Sequence, residues 1–256
     1  MMQRLLILLF AGAGSVFAGS PPLLEGEAFG FRVAWGIFGN AGEIRIDASP
    51  AGDHSRITTT TATRGFLRGL FPFDARSEAL YDAAGLLQEV KEVSESKKKT
   101  SRHALAFDYT NSRADFTDEL RPDRNVALDL PPGQPLDLIT SLINTRSWDL
   151  KPGEKQDALV IFDDNVYELT IHAEAYEETR TPMGRFKTLK LVPKMEKTEP
   201  KGMFKRGSTV SVWISQDGQR LPVRFEVEFK FGSGVATLID YRKPKTSAAN
   251  QVKPGS

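Results

Sequence analysis

The side chains that could carry out catalysis are scattered along this chain. The three histidines, His54, His103 and His172, lack the close spacing of zinc ligands, and there is no cysteine to supply a thiolate. We interpret His103 as a strand-end residue of a core row, and His172 as part of a solvated charged row on a strand. The histidines therefore predict no metal site.

Two short segments look superficially like functional motifs. Gly232-Ser233-Gly234 places a serine between glycines, but a nucleophile elbow joins a strand to a helix, and β-like sequence flanks this segment on both sides. We therefore predict a hairpin turn there. Asp163-Asp164-Asn165 offers oxygen ligands, but a calcium loop spreads its ligands over about a dozen residues, so we predict an acidic turn. With no phosphate loop or dinucleotide fingerprint either, the sequence predicts no enzyme and no cofactor.

A basic cluster, Lys97-Lys98-Lys99 with Arg102, lies between two predicted strands. It could contact anionic lipid headgroups or lipopolysaccharide phosphates, although such runs are more often solvated hairpin turns. The whole chain carries 34 basic and 33 acidic side chains, for a formal net charge of +1. Because a duplex-binding protein normally carries a clear positive excess, no nucleic-acid partner is predicted.

Two apolar segments lie where loops or turns are expected. The segment from Gly65 to Phe73 places five large apolar residues among glycines and a proline, which suits no regular strand. It either folds back as a plug over an open end of the sheet or lines a pocket for an apolar ligand. In Trp35-Gly36-Ile37-Phe38-Gly39 a hairpin-like turn carries two aromatic side chains, for which a role in the core is the simpler explanation. The hypothetical ligand-binding residues come from these segments and one later strand: Trp35, Phe38, Phe66, Leu67, Leu70, Phe71, Phe73 and Trp213.

The first 18 residues have the layout of a secretory signal peptide. Arg4 precedes the apolar run from Leu5 to Phe10, and small residues then lead to a cleavage site after Ala18. This run is far shorter than the roughly 20 residues that span a bilayer, so we predict cleavage rather than a retained anchor. The mature chain is then expected in the periplasm, or secreted, without a transmembrane segment.

Alternating apolar and polar residues dominate the rest of the chain and predict β-strands. Apolar residues occupy every second position between Arg220 and Phe231, which places them on one face of a strand. The run from Val210 to Ile214 alternates in the same way. Between the two runs, Asp217-Gly218 predicts a tight hairpin, with this pair supplying the positive φ angles.

One segment follows helical spacing instead. Four apolar residues recur at helical intervals after a proline-rich entry: Leu136, Ile139, Leu142 and Ile143. We predict a helix near residues 136–146 that packs as a plug or lid on the β surface. The fold class is therefore all-β, a curved antiparallel sheet or incomplete β-barrel of about ten or more strands with one central helix.

The predicted organisation has three parts. A signal peptide covers residues 1–18, a single β domain covers residues 19–242, and a polar tail covers residues 243–256. The composition, 40% hydrophobic and 26% charged, is typical of a globular chain. The tail is expected to be disordered because it has little apolar surface to bury.

Three motifs resemble the bacterial domain-of-unknown-function 3108 family. They are the opening segment from Phe29 to Gly39, the Leu150-Lys151-Pro152-Gly153 turn after the apolar helix, and the closing pattern from Val212 to Val223. The resemblance spans roughly Glu27 to Arg242 and implies an exported, mostly β protein of Gram-negative bacteria, with no catalytic residues to carry over. The closing pattern is also similar to periplasmic lipoprotein carriers, which form an unclosed barrel around acyl chains.

Three functional hypotheses follow. The leading one is a non-enzymatic periplasmic binding or carrier module whose apolar inner face and aromatic loop hold a lipid or acylated envelope molecule, such as a lipopolysaccharide component. The alternative is an envelope assembly or scaffold protein that binds a protein or polysaccharide partner through sheet edges and an exposed Trp213. The third is a cell-wall glycan hydrolase whose site is built from two carboxylates.

Overall fold

One large β-sheet with two short helices makes up the part of the chain that the computed structural model describes, residues 21–201, 204, 208–229 and 232–245. The predicted signal peptide and residues 246–256 of the predicted tail lie outside these residues. The α-helices are α1 (Gly65–Leu70) and α2 (Leu138–Asn144), and two 3₁₀ helices span Pro122–Arg124 and Thr145–Ser147. The strands are β1 (Ala28–Trp35), β2 (Phe38–Ala51), β3 (His54–Thr63), β4 (Phe73–Tyr81), β5 (Leu87–Ser96), β6 (Thr100–Asp108), β7 (Arg113–Asp118), β8 (Val126–Asp129), β9 (Leu136–Asp137), β10 (Lys155–Phe162), β11 (Asn165–Thr181), β12 (Gly184–Lys194), β13 (Thr209–Ser215), β14 (Pro222–Phe229) and β15 (Gly232–Arg242).

Strands that follow one another in sequence are neighbours in this sheet, whose order is β8-β7-β6-β5-β4-β3-β2-β1-β15-β14-β13-β12-β11-β10-β9. β1 pairs with β15, which joins the first and last strands at the middle of the sheet, while β8 and β9 form its edges. The β9–β10 pairing is parallel and the other pairings between the described strands are antiparallel. No pairing joins the two edge strands in the described chain, so the sheet is an incomplete barrel, which confirms the predicted fold class.

Strand alternation builds the core on one face of this sheet. Ile46 of β2, Ile57 of β3 and Leu105 of β6 are each at most 2% exposed and belong to one hydrophobic cluster. A second cluster joins Leu169 of β11 and Val212 of β13 to the strands between them and to α2. Along most strands every second side chain points to the same face, as the alternating sequence predicts. On β10 and β13 adjacent residues are buried, and Val160 and Ile161 belong to different clusters.

The helix α2 begins where a buried polar network caps it. The Asp137 side chain accepts hydrogen bonds from the backbone N–H groups of Ile139 and Thr140, each at 3.1 Å, which satisfies donors that a helix start leaves unpaired. The Tyr81 hydroxyl of β4 donates to the same carboxylate at 3.2 Å and lies 2.7 Å from the Thr140 hydroxyl. This network holds the start of the predicted central helix against the first half of the sheet.

A buried ion pair holds the chain just after α2. The Arg146 guanidinium donates to both carboxylate oxygens of Glu27, at 2.6 and 2.8 Å, and the Tyr241 hydroxyl donates to the same carboxylate at 2.9 Å. The Glu27 side chain is only 1% exposed. Arg220 also donates to the backbone carbonyls of Arg146 and Trp148. The segment that follows the helix is therefore fixed to β15, to the chain before β1 and to the β13–β14 turn.

Side chains fill the space between α2 and the second half of the sheet. Beneath α2 only about 20 Å³ of space remains between Leu142 of the helix and Leu169 and Val212 of the sheet. Phe204 closes this region, with its ring centroid 5.5 Å from that of Tyr167. This part of the inner face has no room for a ligand in the described structure.

Two local predictions were wrong. The segment from Gly65 to Phe73 is not an irregular loop, because α1 spans Gly65–Leu70 and β4 begins at Phe73. In the β13–β14 hairpin the positive φ angle falls on Arg220, at 48°, rather than on the Asp217-Gly218 pair. The Asp217 carboxylate accepts from the backbone N–H groups of Gln219 and Arg220, at 3.0 and 3.1 Å, so a side chain shapes this turn.

Strand direction places several connections at one end of the sheet, which we call the α1 end. These are the β1–β2 turn at residues 36–37, the α1 segment between β3 and β4, the β5–β6 turn at 97–99, the β7–β8 segment at 119–125 and the β10–β11 turn at 163–164. In an antiparallel meander, alternate connections lie at the same end. No helix within the described ranges has the length and apolar composition needed to cross a bilayer.

Candidate functional site

A cavity of about 200 Å³ lies between the first half of the sheet and the segment that carries α2. One wall is the inner face of β3 to β6, and the other consists of the start of α2 and the end of β10. Alternation explains the first wall, since Ala75 and Ser77 of β4 face the same way, as do Val90 and Glu92 of β5. The lining residues are Thr59, Thr61, Phe73, Ala75, Ser77, Val90, Glu92, His103, Leu105, Asp137, Leu138, Ile139, Ile161, Phe162 and Asp163.

This cavity has a mostly apolar surface inside and a larger share of polar and charged side chains at its mouth. Leu105, Val90 and Ile161 are at least 95% buried and supply the hydrocarbon surface of its interior. A second space of about 270 Å³ adjoins the first, because the two share five lining residues. The shared residues are Phe73, Glu92, His103, Phe162 and Asp163. The remaining lining residues of this second space, which we call the mouth, are polar or charged: Ser94, Ser96, Lys99, Ser101 and Arg124.

His103 and Glu92 face each other where the two spaces meet. The Nε2 atom of His103 lies 3.9 Å from a carboxylate oxygen of Glu92, and the imidazole packs on Phe116 with 5.4 Å between ring centroids. The His103 side chain is 8% exposed, and its Nδ1 atom is buried without a hydrogen-bond partner in the described part of the chain. A buried polar atom without a partner costs free energy, which a ligand or water could recover by bonding to it.

Burial raises the pKa of the Glu92 carboxyl above its usual range. His103 opposes this rise because a protonated imidazole favours the carboxylate, whereas Asp163 and Asp137 reinforce it because they are like charges. Burial also raises the pKa of Asp137 at the other wall, although its hydrogen bonds to Thr140 and Tyr81 partly offset the effect. Burial in the inner part of the site therefore makes the Glu92 and Asp137 carboxyls easier to protonate than exposed carboxyls, since it raises the pKa of each.

Replacing Glu92 with glutamine is expected to change how stability depends on pH. The folded state binds the Glu92 proton more tightly than the unfolded chain, in which the pKa is about 4.3, so the wild type loses stability as pH rises through the raised pKa. Glu92→Gln cannot titrate and does not undergo this loss. Its unfolding free energy should therefore rise relative to the wild type as pH increases from about 4, and level off above the raised pKa.

Urea unfolding followed by circular dichroism at a series of pH values measures this difference. Glu95→Gln is the control, because Glu95 lies on the same strand, is exposed and does not line the cavity. A difference between Glu92→Gln and the wild type that stays constant with pH would contradict the assignment of Glu92 to a desolvated wall.

An ion-pair network centred on Arg124 closes one side of the mouth. Its guanidinium donates to Asp163 at 3.1 Å and Asp164 at 2.7 Å in the β10–β11 turn, and to Asp118 of β7 at 3.2 Å. The predicted acidic turn at residues 163–165 is therefore present, with a partner that the sequence did not indicate. Arg124 precedes the edge strand β8, and Asp163 and Asp164 follow β10, which pairs with the other edge strand, β9. This network therefore links the two edges of the open sheet by ion pairs rather than by strand pairing.

The eight hypothetical ligand-binding residues fall into three groups. Phe73 lines both the cavity and its mouth. Six others lie at the α1 end outside the cavity: Trp35, Phe38, Phe66, Leu67, Leu70 and Phe71. Among them, Phe38 stacks on Phe66 with ring centroids 5.9 Å apart. The eighth, Trp213, belongs to the core.

The prediction of an exposed Trp213 was wrong. The residue is 7% exposed and its indole N–H donates to Glu177 at 2.9 Å. The guanidinium of Arg224 and the ammonium of Lys190 lie over its ring, at 4.8 and 5.8 Å from the centroid. Its neighbours on β11, β12 and β14 therefore cover it, and it cannot anchor a partner as the scaffold alternative required.

Two further sequence interpretations were also incorrect. Gly232-Ser233-Gly234 is the start of β15, and Gly234 pairs with Trp35, whose ring carbons would lie only 3.1 Å from a Cβ atom added there. His103 is an interior residue of β6 rather than a strand-end residue. Among the described residues no three histidine or acidic side chains are grouped so as to hold a metal ion.

A larger cavity, of about 410 Å³, lies against α2, β10 and β11. Polar side chains, among them Gln156 and Glu168, line much of it, and Asp157 pairs with Lys197 on its wall at 2.8 Å. It lacks the buried apolar interior of the smaller cavity. The smaller cavity is therefore the better match to the amphipathic ligand that the sequence suggests.

Comparison with known proteins agrees with the fold and with the resemblance noted in the sequence. The family model described as "Protein of unknown function (DUF3108)" matches residues 30–239. A β-barrel-like protein of domain of unknown function DUF1849 from Brucella abortus is similar in structure, with a TM-score of 0.53 and 10% identity over 86% of this chain and 98% of that one. A DUF1089 family protein from Pseudomonas aeruginosa gives a TM-score of 0.37 and 13% identity over 70% of this chain and 87% of that one. A search of curated proteins found no match.

Proposed function

This chain belongs to the DUF3108 family, and from its own structure we propose that it is a non-enzymatic binding or carrier module of the cell envelope. The ligand is an amphipathic molecule with an acyl chain. The chain occupies the cavity between β4, β5, β6 and α2, and the polar group lies at the mouth beside His103, Glu92 and Arg124. The observation that supports this most strongly is the continuity of a mostly apolar interior with an opening that carries charged and polar side chains.

The size of the cavity limits how much of the ligand it can hold. Ligand pockets typically measure about 300–1,000 Å³, so an interior of about 200 Å³ fits part of one chain rather than a whole lipid. Burying about eight methylene groups at about 0.8 kcal/mol each gives roughly 6 kcal/mol. That corresponds to a dissociation constant between about 1 μM and 1 mM, a range suited to a carrier that must release its ligand.

The residues at the mouth are suited to orienting a polar group rather than to transferring one. His103 offers a buried nitrogen without a partner, and Glu92 offers a carboxyl that burial makes easier to protonate. These groups can donate or accept hydrogen bonds, as a headgroup requires. We also propose a periplasmic or secreted location, supported by the signal-peptide-like first 18 residues.

Mass spectrometry of organic extracts tests this function on protein purified from its native envelope. The expected result is an acylated molecule recovered in a constant ratio to protein, and enriched over extracts of an unrelated exported protein prepared in parallel. Extracts that contain no lipid beyond the level of that control, together with no binding of added fatty acid, would overturn the proposal.

A further inference from the structure

Large apolar side chains project into solvent at the α1 end of the sheet. Ile37 in the β1–β2 turn is 94% exposed, and Phe66 and Phe71, in and next to α1, are 68% and 66% exposed. Leu70 is 47% exposed beside them. Apolar surface is usually exposed in such concentration only where it contacts a partner or a membrane.

Three lysines project from the same end. Lys97, Lys98 and Lys99 form the exposed β5–β6 turn, and none of their ammonium groups has an acidic partner within 4 Å in the described part of the chain. Glu95 is the nearest acidic residue in sequence, which leaves the turn with a local charge of about +2. Since the whole chain is nearly neutral, this positive charge is a local feature.

The other basic residues near α1 are already paired. Arg64 forms an ion pair with Glu43 at 3.3 Å, and Arg68 donates to both carboxylate oxygens of Asp74, at 3.0 and 2.8 Å. Arg102, Glu119 and Asp123 are also exposed at this end without an ion pair in the described part of the chain. The lysine turn is nevertheless a run of three adjacent cationic groups, and within the described residues no acidic side chain forms an ion pair with them.

The mouth of the cavity opens between these two features. Lys99 lines the mouth directly, and Phe73, which lines both mouth and interior, follows the exposed Phe71 by two residues. The Thr63 hydroxyl donates to the Phe71 carbonyl at 3.0 Å and accepts from the Phe73 N–H at 2.9 Å, which fixes α1 against the start of β4. A ligand leaving the cavity would therefore emerge at the surface that carries the apolar and basic groups.

We propose that the α1 end docks on the surface of an anionic lipid bilayer. Ile37, Phe66 and Phe71 enter the interface between headgroups and acyl chains, and Lys97, Lys98 and Lys99 contact the anionic headgroups. Exposed apolar groups flanked by lysines are the combination that binds such interfaces, whereas a protein partner would require acidic groups that pair with the lysines. The docking itself stands apart from the proposed carrier function, although together they place the cavity mouth at the membrane.

Flotation with lipid vesicles tests the docking. The purified protein should float with vesicles of phosphatidylcholine mixed with phosphatidylglycerol, and bind vesicles of phosphatidylcholine alone far more weakly. Replacing Lys97, Lys98 and Lys99 with serine should weaken binding to the mixed vesicles at least about 10-fold, since each lysine near an anionic surface contributes roughly a five-fold increase. Raising the salt concentration above about 0.15 M should reduce wild-type binding in the same direction.

Matched variants separate this surface from general effects of charge and hydrophobicity. Three exposed basic residues lie at the opposite end of the sheet: Lys151, Arg180 and Arg185. Replacing them with serine removes three positive charges, as the lysine variant does, and should leave vesicle binding unchanged. Ile37→Ser combined with Phe66→Ser and Phe71→Ser should weaken binding about 10-fold without changing the circular dichroism spectrum.

Three outcomes would overturn the docking proposal. One is no flotation with the mixed vesicles, and another is equal binding by the lysine variant and the wild type. The third is an apolar variant that binds vesicles normally but loses self-association, which would assign the surface to a second copy of the chain. A protein that fails to float but still binds soluble fatty acid would overturn only the docking and leave the carrier function standing.

Discussion

Replacing Arg146 with alanine is expected to lower the free energy of unfolding by about 3–5 kcal/mol. The reason is the Glu27 carboxylate, which is only 1% exposed and receives two hydrogen bonds from the Arg146 guanidinium, at 2.6 and 2.8 Å. Without the guanidinium the buried charge keeps a bond from the Tyr241 hydroxyl at 2.9 Å but has no opposite charge. The same variant also removes a cation–π contact with the ring of Phe29.

Chemical denaturation measured by circular dichroism gives this stability change. Arg113→Ala is the control, since Arg113 forms an ion pair with Asp115 at 2.9 Å in which both side chains are more than 40% exposed. The control should lose less than about 1 kcal/mol. The double variant Glu27→Leu with Arg146→Met should recover much of the loss, because removing both charges leaves no unpaired one. A loss below about 1 kcal/mol in Arg146→Ala would contradict the role of this pair in holding the α2 segment.

Replacing Ala75 with tryptophan is expected to weaken the binding of an acyl chain about 100-fold. Ala75 lies on the inner face of β4 and lines the interior of the cavity. An indole there would occupy much of a space of about 200 Å³. Excluding about four methylene groups from burial would cost the ligand roughly 3 kcal/mol, which corresponds to that fold-change.

Ala106→Trp is the matched control for this variant. Ala106 is an exposed residue of β6 that does not line the cavity, so the same substitution should leave binding unchanged. Isothermal titration calorimetry with dodecanoate measures the dissociation constant of each variant. The melting temperature of each variant shows whether it is folded. Equal affinities for a folded Ala75→Trp and the wild type would show that the acyl chain binds elsewhere.

The architecture was predictable because its pattern is local. Alternation along single strands such as β14 needs no information from distant residues, and every second side chain must face the core. The helix α2 was also predictable from the apolar run with helical spacing, but its predicted start at residue 136 was wrong. Leu136 and Asp137 form β9, and Asp137 caps α2 from just outside the helix. The helix α1 was missed because it is six residues long, contains two glycines and buries no residue in the core.

Neither the candidate site nor the ion pair that fixes the chain after α2 was predictable from sequence, because their contacts join distant residues. Glu27 and Arg146 are 119 positions apart, and Arg124 and Asp163 are 39 apart, so no local spacing indicates either pair. His103 and Glu92 meet only because β5 and β6 pair in a register that places them side by side. Three aromatic residues that the sequence singled out do not line this cavity, since Phe66 and Phe71 are exposed at the α1 end and Trp213 is buried in the core.

Acyl-chain binding in the cavity is tested most directly by an isotope-filtered NOE measurement between dodecanoate and protein with labelled methyl groups. We expect contacts from the alkyl protons to Val90, Leu105, Ile139 and Ile161, which line the cavity, and their loss in Ala75→Trp. Contacts confined to Ile37 and other groups outside the cavity, or no contacts at ligand concentrations that saturate binding, would contradict acyl-chain binding in the cavity.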